Sequence, residues 1–124
     1  MKSKIESKSA PAAIGPYSQG TLAGSTAFIS GMLGIDPATG ELKEGIEAQA
    51  EQALLNLEAV LKEAGLTTVN VVKTTVFLTD MGDFAKINAI YGKHFSAPYP
   101  ARSCVQVGAL PKGGLFEIEA IAVR

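Results

Sequence analysis

The chain has one cysteine, one histidine and no tryptophan among its 124 residues. Cys104 alone cannot form a disulfide within the chain and suits a reducing compartment. Cys104 and His94 together are too few for a zinc site of the usual nitrogen and sulfur ligands. A serine hydrolase would need a histidine base, and Gly15-Pro16-Tyr17-Ser18-Gln19-Gly20 misses the G-x-S-x-G elbow by one position. Gly31-Met32-Leu33-Gly34 and Lys112-Gly113-Gly114 fit neither the dinucleotide fingerprint nor the phosphate-binding loop. Charge of one sign is also lacking. A net charge of −1 gives no general attraction to nucleic acid or to an anionic membrane. No apolar run is long enough for a signal peptide or a bilayer span, so a cytoplasmic location is expected. Glu41, Glu44 and Glu47 read as a solvated acidic run rather than a metal cage.

What is present is the composition of a folded domain, with 47% hydrophobic and 19% charged residues. The length fits one domain over residues 1–124. Lys4-Ile5 carries a weak strand signal, and a loop follows through Gly20. Thr21–Ala23 and Thr26–Ile29 read as strands joined at Gly24-Ser25, continuing through Ser30–Ile35 to a turn at Asp36-Pro37-Ala38-Thr39-Gly40. Ile46, Ala50, Ala53, Leu54, Leu57, Val60, Leu61 and Ala64 recur at helical spacing, which predicts a helix over 46–64 closed by Gly65. Val69–Leu78 predicts a strand. Phe84–Phe95 predicts a second helix with Phe84, Ile87, Tyr91 and Phe95 inward, opened by Gly82 or Asp83. Asn88 lies one turn from both Phe84 and Tyr91, where its amide needs a partner. His94 falls at the end of that helix, where its charge would favour the dipole.

Pro98 and Pro100 hold the chain extended before a strand that begins near Arg102. Arg102, Cys104 and Gln106 share one face of it, and Ser103, Val105 and Val107 the other. A loop over Gly108–Gly114 leads to the last strand, Leu115–Val123. There Glu117 and Glu119 share a face with Leu115, Ile121 and Val123, while Phe116, Ile118, Ala120 and Ala122 share the other. The order of elements predicts an α+β fold, a two-layer mixed sheet with two helices on one face. Two helices leave the other face uncovered although it carries Ile121 and Val123, which predicts association of sheet faces between subunits.

Arg102, Tyr17, Asn88 and one of the pair Glu117 and Glu119 remain as polar groups with chemistry to offer. Such a set suits a small carboxylate held by a guanidinium, with an acid or base nearby. Periodicity alone does not choose between the two glutamates. An edge arginine in solvent or paired with an acid is the plain structural alternative for Arg102, and a buried structural thiol is the plain reading of Cys104.

The chain resembles the RidA/YjgF family of enamine/imine deaminases over essentially its whole length. Ala10-Pro11-Ala12-Ala13-Ile14-Gly15-Pro16-Tyr17-Ser18-Gln19-Gly20 is similar to the family's opening motif. Ser30-Gly31 with Asp36–Glu41 resembles the second, and Lys73–Leu78 through Asn88 and Tyr91 the third. Pro100-Ala101-Arg102-Ser103-Cys104-Val105, Leu110-Pro111-Lys112 and Glu117-Ile118-Glu119-Ala120 resemble the last block. Met32 departs from it, standing where many members have glutamine. The resemblance implies a fold like that of the bacillus-type chorismate mutase, a homotrimer, and ligand clefts between subunits. It implies cofactor-free hydrolysis of 2-enamine and 2-imine acids, such as 2-aminoacrylate and 2-iminopropanoate, to 2-keto acids and ammonia. Those substrates are released by pyridoxal-phosphate-dependent dehydratases. It also implies that Arg102 binds the carboxylate with help from the Cys104 backbone N–H, that Glu117 positions or activates water, and that Tyr17, Ser30, Gly31 and Asn88 line the cleft. The competing readings are a non-catalytic trimer that binds a 2-keto acid and regulates a partner (related proteins are also described as chaperones), and a ribonuclease or translation inhibitor acting on messenger RNA. The acidic balance disfavours the second.

Overall fold

Helix α1, Ile46–Glu63, is the element against which the sheet is laid. The computed structural model describes all 124 residues. Ala50, Ala53, Leu57, Val60 and Leu61 of α1 are fully buried, as the helical spacing requires. Burying each of the larger side chains contributes about 1.5–3 kcal/mol. Gly65, at φ 72°, ends the helix, with its N–H donating to the Lys62 carbonyl and that of Leu66 to the Leu61 carbonyl. Two polar residues share this buried face. Asn56 Nδ2 donates to the Leu33 and Ile35 carbonyls, and Gln49 bonds the Lys43 carbonyl and the Leu115 N–H. A stripe read from apolar residues alone omits both, although they tie the ends of two strands to the helix.

Six strands form one mixed sheet in the order β1-β2-β3-β6-β4-β5. They are β1 Lys2–Ile5, β2 Gly20–Ala23, β3 Thr26–Leu33, β4 Val71–Leu78, β5 Ala101–Gln106 and β6 Phe116–Val123. Only β4 and β5 run parallel. Between those two in sequence lies α2, Phe84–His94, so they form a strand-helix-strand unit. Both helices pack on the face that carries Phe116, Ile118, Ala120 and Ala122, all buried. The arrangement is the α+β sheet with two helices expected from the order of elements.

Most elements end within a residue of the expectation, and three departures have a clear local cause. The first strand is four residues, Lys2–Ile5, because it pairs along its length with β2 as an edge. Thr68–Asn70 is a 3-10 turn rather than strand, since Thr67 and Asn70 cap each other's backbone N–H groups and leave Val69 81% exposed. Before α2, the Asp80 carboxylate accepts from Gly82 N–H and caps a short turn, while Asp83 makes no side-chain cap.

A β-bulge in β3 bears most directly on the site. Ile29 pairs with Ala120 and Met32 with Ile118, so three steps along β3 match two along β6. Ser30 and Gly31 occupy the irregularity. Past it the parity of β3 reverses, and Met32 turns into the core at 5% exposure. Position 32 is therefore a packing position in this chain. Gly34 follows, where any Cβ would collide with the backbone of Gln49 in α1.

Candidate functional site

The residues singled out from the sequence fall into two groups on opposite faces of the sheet. Arg102 lies opposite Thr74 in the β4–β5 ladder, and Thr74 is wholly buried against α2. Arg102 therefore points to the helix side. Its Nη1 donates to Asn88 Oδ1 at 2.7 Å, which satisfies the amide that the helical stripe left in question. The guanidinium carbon stands 4.7 Å from the centre of the Tyr91 ring and 5.3 Å from that of Phe84. No carboxylate pairs with Arg102. A partly buried cation held by an amide and two aromatic faces keeps its charge available to an incoming anion. The plain reading of this residue as a solvated or acid-paired edge arginine does not describe it.

Cys104 follows two residues on, partly buried. Burial raises its thiol above the usual value, with the Arg102 charge pulling the other way. A thiol shifted upward is a poor nucleophile at neutral pH.

The second group gathers around Glu117 on the sheet's open face. A cavity of about 770 Å³ is lined there by Pro11, Ile14, Tyr17, Ser30, Gly31 and Glu117 among others. Glu117 pairs with Leu33 on one side and Phe77 on the other. Burial raises its carboxyl above the ordinary value, and the like charge of Glu119 raises it further. Glu119 is more exposed. Gly31 explains how the carboxylate fits, because a Cβ there would lie 2.6 Å from Glu117 Oε2. Ser30 Oγ donates to the Ser18 carbonyl at 2.6 Å, fixing the bulge to the loop that carries Tyr17. Tyr17 itself is 55% exposed.

Arg102 and Glu117 do not meet within one chain. From Glu117 the ladder steps across Phe77 of β4 to Val105 of β5, two strand spacings or about 10 Å. Arg102 lies three residues before Val105, about 10 Å further along, and on the other face.

Residues beyond those anticipated complete each group. Gln19, 3% exposed, accepts from Ser7 N–H and donates to the Ser7 and Pro11 carbonyls, so it holds the segment that walls the cavity. Lys112 reaches the cavity rim from a left-handed backbone position, φ 58°. Phe84 and Tyr91 flank Arg102. Their spacing around Asn88 was the available signal, but it reads equally as core. His94 does not simply close its helix. Its Nδ1 lies 2.6 Å from Glu58 Oε2 and its Nε2 2.9 Å from Glu51 Oε1, both on α1.

The chain is similar to known proteins over nearly its whole length. The family model described as endoribonuclease L-PSP matches residues 7–124. A Bos taurus protein named 2-iminobutanoate/2-iminopropanoate deaminase is 53% identical over 121 residues, 97% of this chain and 88% of the relative. The crystal structure of RidA from an Antarctic Psychrobacter is 51% identical, with a TM-score of 0.96 over 98% of this chain and 99% of that one. The structure of Escherichia coli TdcF with bound serine is 47% identical, with a TM-score of 0.93 over 98% of both chains.

Proposed function

This chain belongs to the RidA/YjgF family and acts as a 2-iminobutanoate/2-iminopropanoate deaminase, and from that premise we propose that its active site joins Arg102 of one subunit to Glu117 of a neighbour. The observation that carries the reading is the guanidinium of Arg102, partly buried and without an acidic partner. The subunits form a homotrimer of the bacillus chorismate-mutase type. In support, the open sheet face leaves Phe28, the ladder partner of Ile121, 46% exposed and Val105 on the edge strand 44% exposed. A second copy laid on that face would cover them and bring its own Arg102 edge toward the Glu117 cavity.

The substrate carboxylate lies in the fork of Arg102, seconded by the backbone N–H of Cys104. Ser30, Gly31, Tyr17 and Asn88 line the cleft. A protonated imine is already electrophilic at C2, so the protein needs only to orient water and move protons. Glu117 takes a proton from water as its oxygen bonds C2, and the C=N pair moves to nitrogen. Protonated Glu117 passes that proton to the nitrogen, and as the C–N bond breaks the new hydroxyl gives its proton back to Glu117. The 2-keto acid and ammonia leave, and the carboxyl then loses its proton to ammonia or solvent. A carboxyl raised by burial is suited to both halves of this transfer. An enamine enters the same route once a proton is added at C3. Pyridoxal-phosphate-dependent dehydratases of the cytoplasm release such substrates, and TdcF with bound serine is consistent with a pocket for a small amino or imino acid.

A coupled assay tests the proposal. With a threonine dehydratase and semicarbazide as the competing trap, the protein should accelerate formation of the keto acid. Arg102→Ala should abolish that acceleration, since two charge-assisted hydrogen bonds to the carboxylate are worth about 3–5 kcal/mol. Arg102→Lys should restore little. Keto acid binding without acceleration would instead indicate a regulator, and a stable monomer by light scattering at micromolar concentration would overturn the shared cleft.

A further inference from the structure

Arg102 is held from behind by a hydroxyl pair that the reaction does not use. Thr74 is fully buried in β4, and its Oγ1 lies 2.7 Å from the Tyr91 hydroxyl. Tyr91 is 6% exposed and packs its ring 4.4 Å from that of Phe95. A phenylalanine would fill that space, and a buried phenol without a partner would cost stability. Thr74 supplies the partner, and the phenol's own proton is held because burial raises it above the usual value.

The same Thr74 is the ladder partner of Arg102. A closed circuit results. It runs from the Thr74 hydroxyl to the Tyr91 hydroxyl, through the ring to the guanidinium over it, 4.7 Å from its centre, and back along β5 to the backbone opposite Thr74. Asn88, one turn before Tyr91 on α2, takes Nη1 of the same guanidinium. The Tyr91 ring lies against the guanidinium and the Asn88 carbonyl takes one of its N–H groups, so the cation is constrained from two directions. The N–H groups left over then present a fork of set direction.

We propose that Thr74 and Tyr91 are positioning residues for carboxylate recognition, acting through Arg102 by locking the ring over which its guanidinium lies. This rests on the reading that Arg102 binds the substrate carboxylate. A planar carboxylate gains two parallel hydrogen bonds only when the fork is held flat and correctly turned. Removing either hydroxyl frees the ring to rock and loosens the fork, which weakens ligand binding more than it slows the chemistry at Glu117.

The test measures the Kd of 2-oxobutanoate by calorimetry, and KM and kcat in the coupled assay, for Tyr91→Phe, Thr74→Val, Thr74→Ser and Arg102→Ala. Tyr91→Phe and Thr74→Val should each raise Kd and KM by about 3- to 10-fold with a smaller change in kcat. The two together should do no more than one alone, and Thr74→Ser should recover most of what Thr74→Val loses. In an Arg102→Ala background, Tyr91→Phe should leave Kd unmoved, whereas a merely structural role would still show. Unchanged Kd and KM in both hydroxyl variants, additive losses, or an effect that survives without Arg102 would overturn the inference. Should Arg102→Ala itself leave Kd unaltered, the carboxylate reading fails first, and the two failures are told apart by that single variant.

Discussion

Arg102 reaches its place with its contacts supplied by its own chain, whereas Glu117 stands in a cavity whose open side faces outward. The arginine has Asn88, Tyr91 and Phe84 from α2 around it, and α2 is itself anchored on α1 and β4. The glutamate has a bulge beneath it, a loop beside it, and a like charge two residues along. On the proposed reading, much of the ordering of the binding half is done before substrate arrives. The proposed catalytic half is left responsive, since its carboxyl is raised by burial on an open face and by the charge of Glu119. A rigid fork and an environment-tuned carboxylate suit the proposed division between holding an anion and moving a proton.

The largest effect expected from separating these halves comes from Glu117→Gln, which keeps size and hydrogen bonding but removes basicity. Turnover should fall by roughly 10²–10⁴ while 2-oxobutanoate still binds through Arg102. Glu119→Gln should keep the rate within several-fold of wild type once both variants are shown to retain the native oligomer. Glu119 is not silent, though. Its charge is the second cause, after burial, of the raised Glu117 carboxyl. A general base works only when ionised, so kcat/KM should rise with pH through the Glu117 value. In Glu119→Gln that acid limb should move to lower pH. Equal losses of turnover in the two variants, or a limb that stays put, would mean that the glutamates are not divided in this way.

Gly31→Ala should act next, and on the glutamate half alone. The new Cβ would stand 2.6 Å from Glu117 Oε2 and 2.8 Å from its carboxyl carbon, too close for either group to stay. Because the obstacle is the end of a side chain, the fold survives and Glu117 swings. We expect kcat to drop by about 10- to 100-fold with keto acid affinity changed little. A variant that loses affinity as strongly as turnover would place Gly31 at the anion rather than at the base.

How much of this was legible follows from the kind of signal each feature leaves. The α1 stripe, the strand-helix-strand unit and the alternation in β6 are periodic, and they appear where the pattern put them. The β3 bulge left no periodic trace, since one extra residue only reverses parity, and Ser30-Gly31 entered through motif resemblance. Gln19, Gln49 and Asn56 leave no such signal, because a buried amide looks polar in sequence. Its burial is justified only by carbonyls far along the chain, such as those of Leu33 and Ile35 for Asn56. Tyr91 was read correctly as inward, but what its hydroxyl and ring face do depends on Thr74 and Arg102, contacts that no local pattern encodes.

The smallest effect concerns the anchoring of α2 and sharpens the comparison from the arginine side. His94, on the last turn of α2, has a carboxylate of α1 at each ring nitrogen, and its side chain is 10% exposed. Burial alone would lower its pKa, but the hydrogen bonds and charges of Glu51 and Glu58 outweigh burial and the net shift is upward. Only the imidazolium can donate to both acids at once. A folded-state pKa above the unfolded value of about 6.5 means the stabilisation is fully present below that unfolded value and is lost as pH rises through the folded one. Water around the partly exposed glutamates screens the pair, which holds the contribution to about 1 kcal/mol or less. The denaturation midpoint should accordingly decline as pH is raised through that window, and His94→Gln should remove that slope. Because His94 is the chain's only histidine, its proton resonance titrates without overlap, and it should report a value above the ordinary one. A resonance titrating at or below the ordinary histidine value would show a neutral ring and remove this clamp from the support of α2 and Arg102.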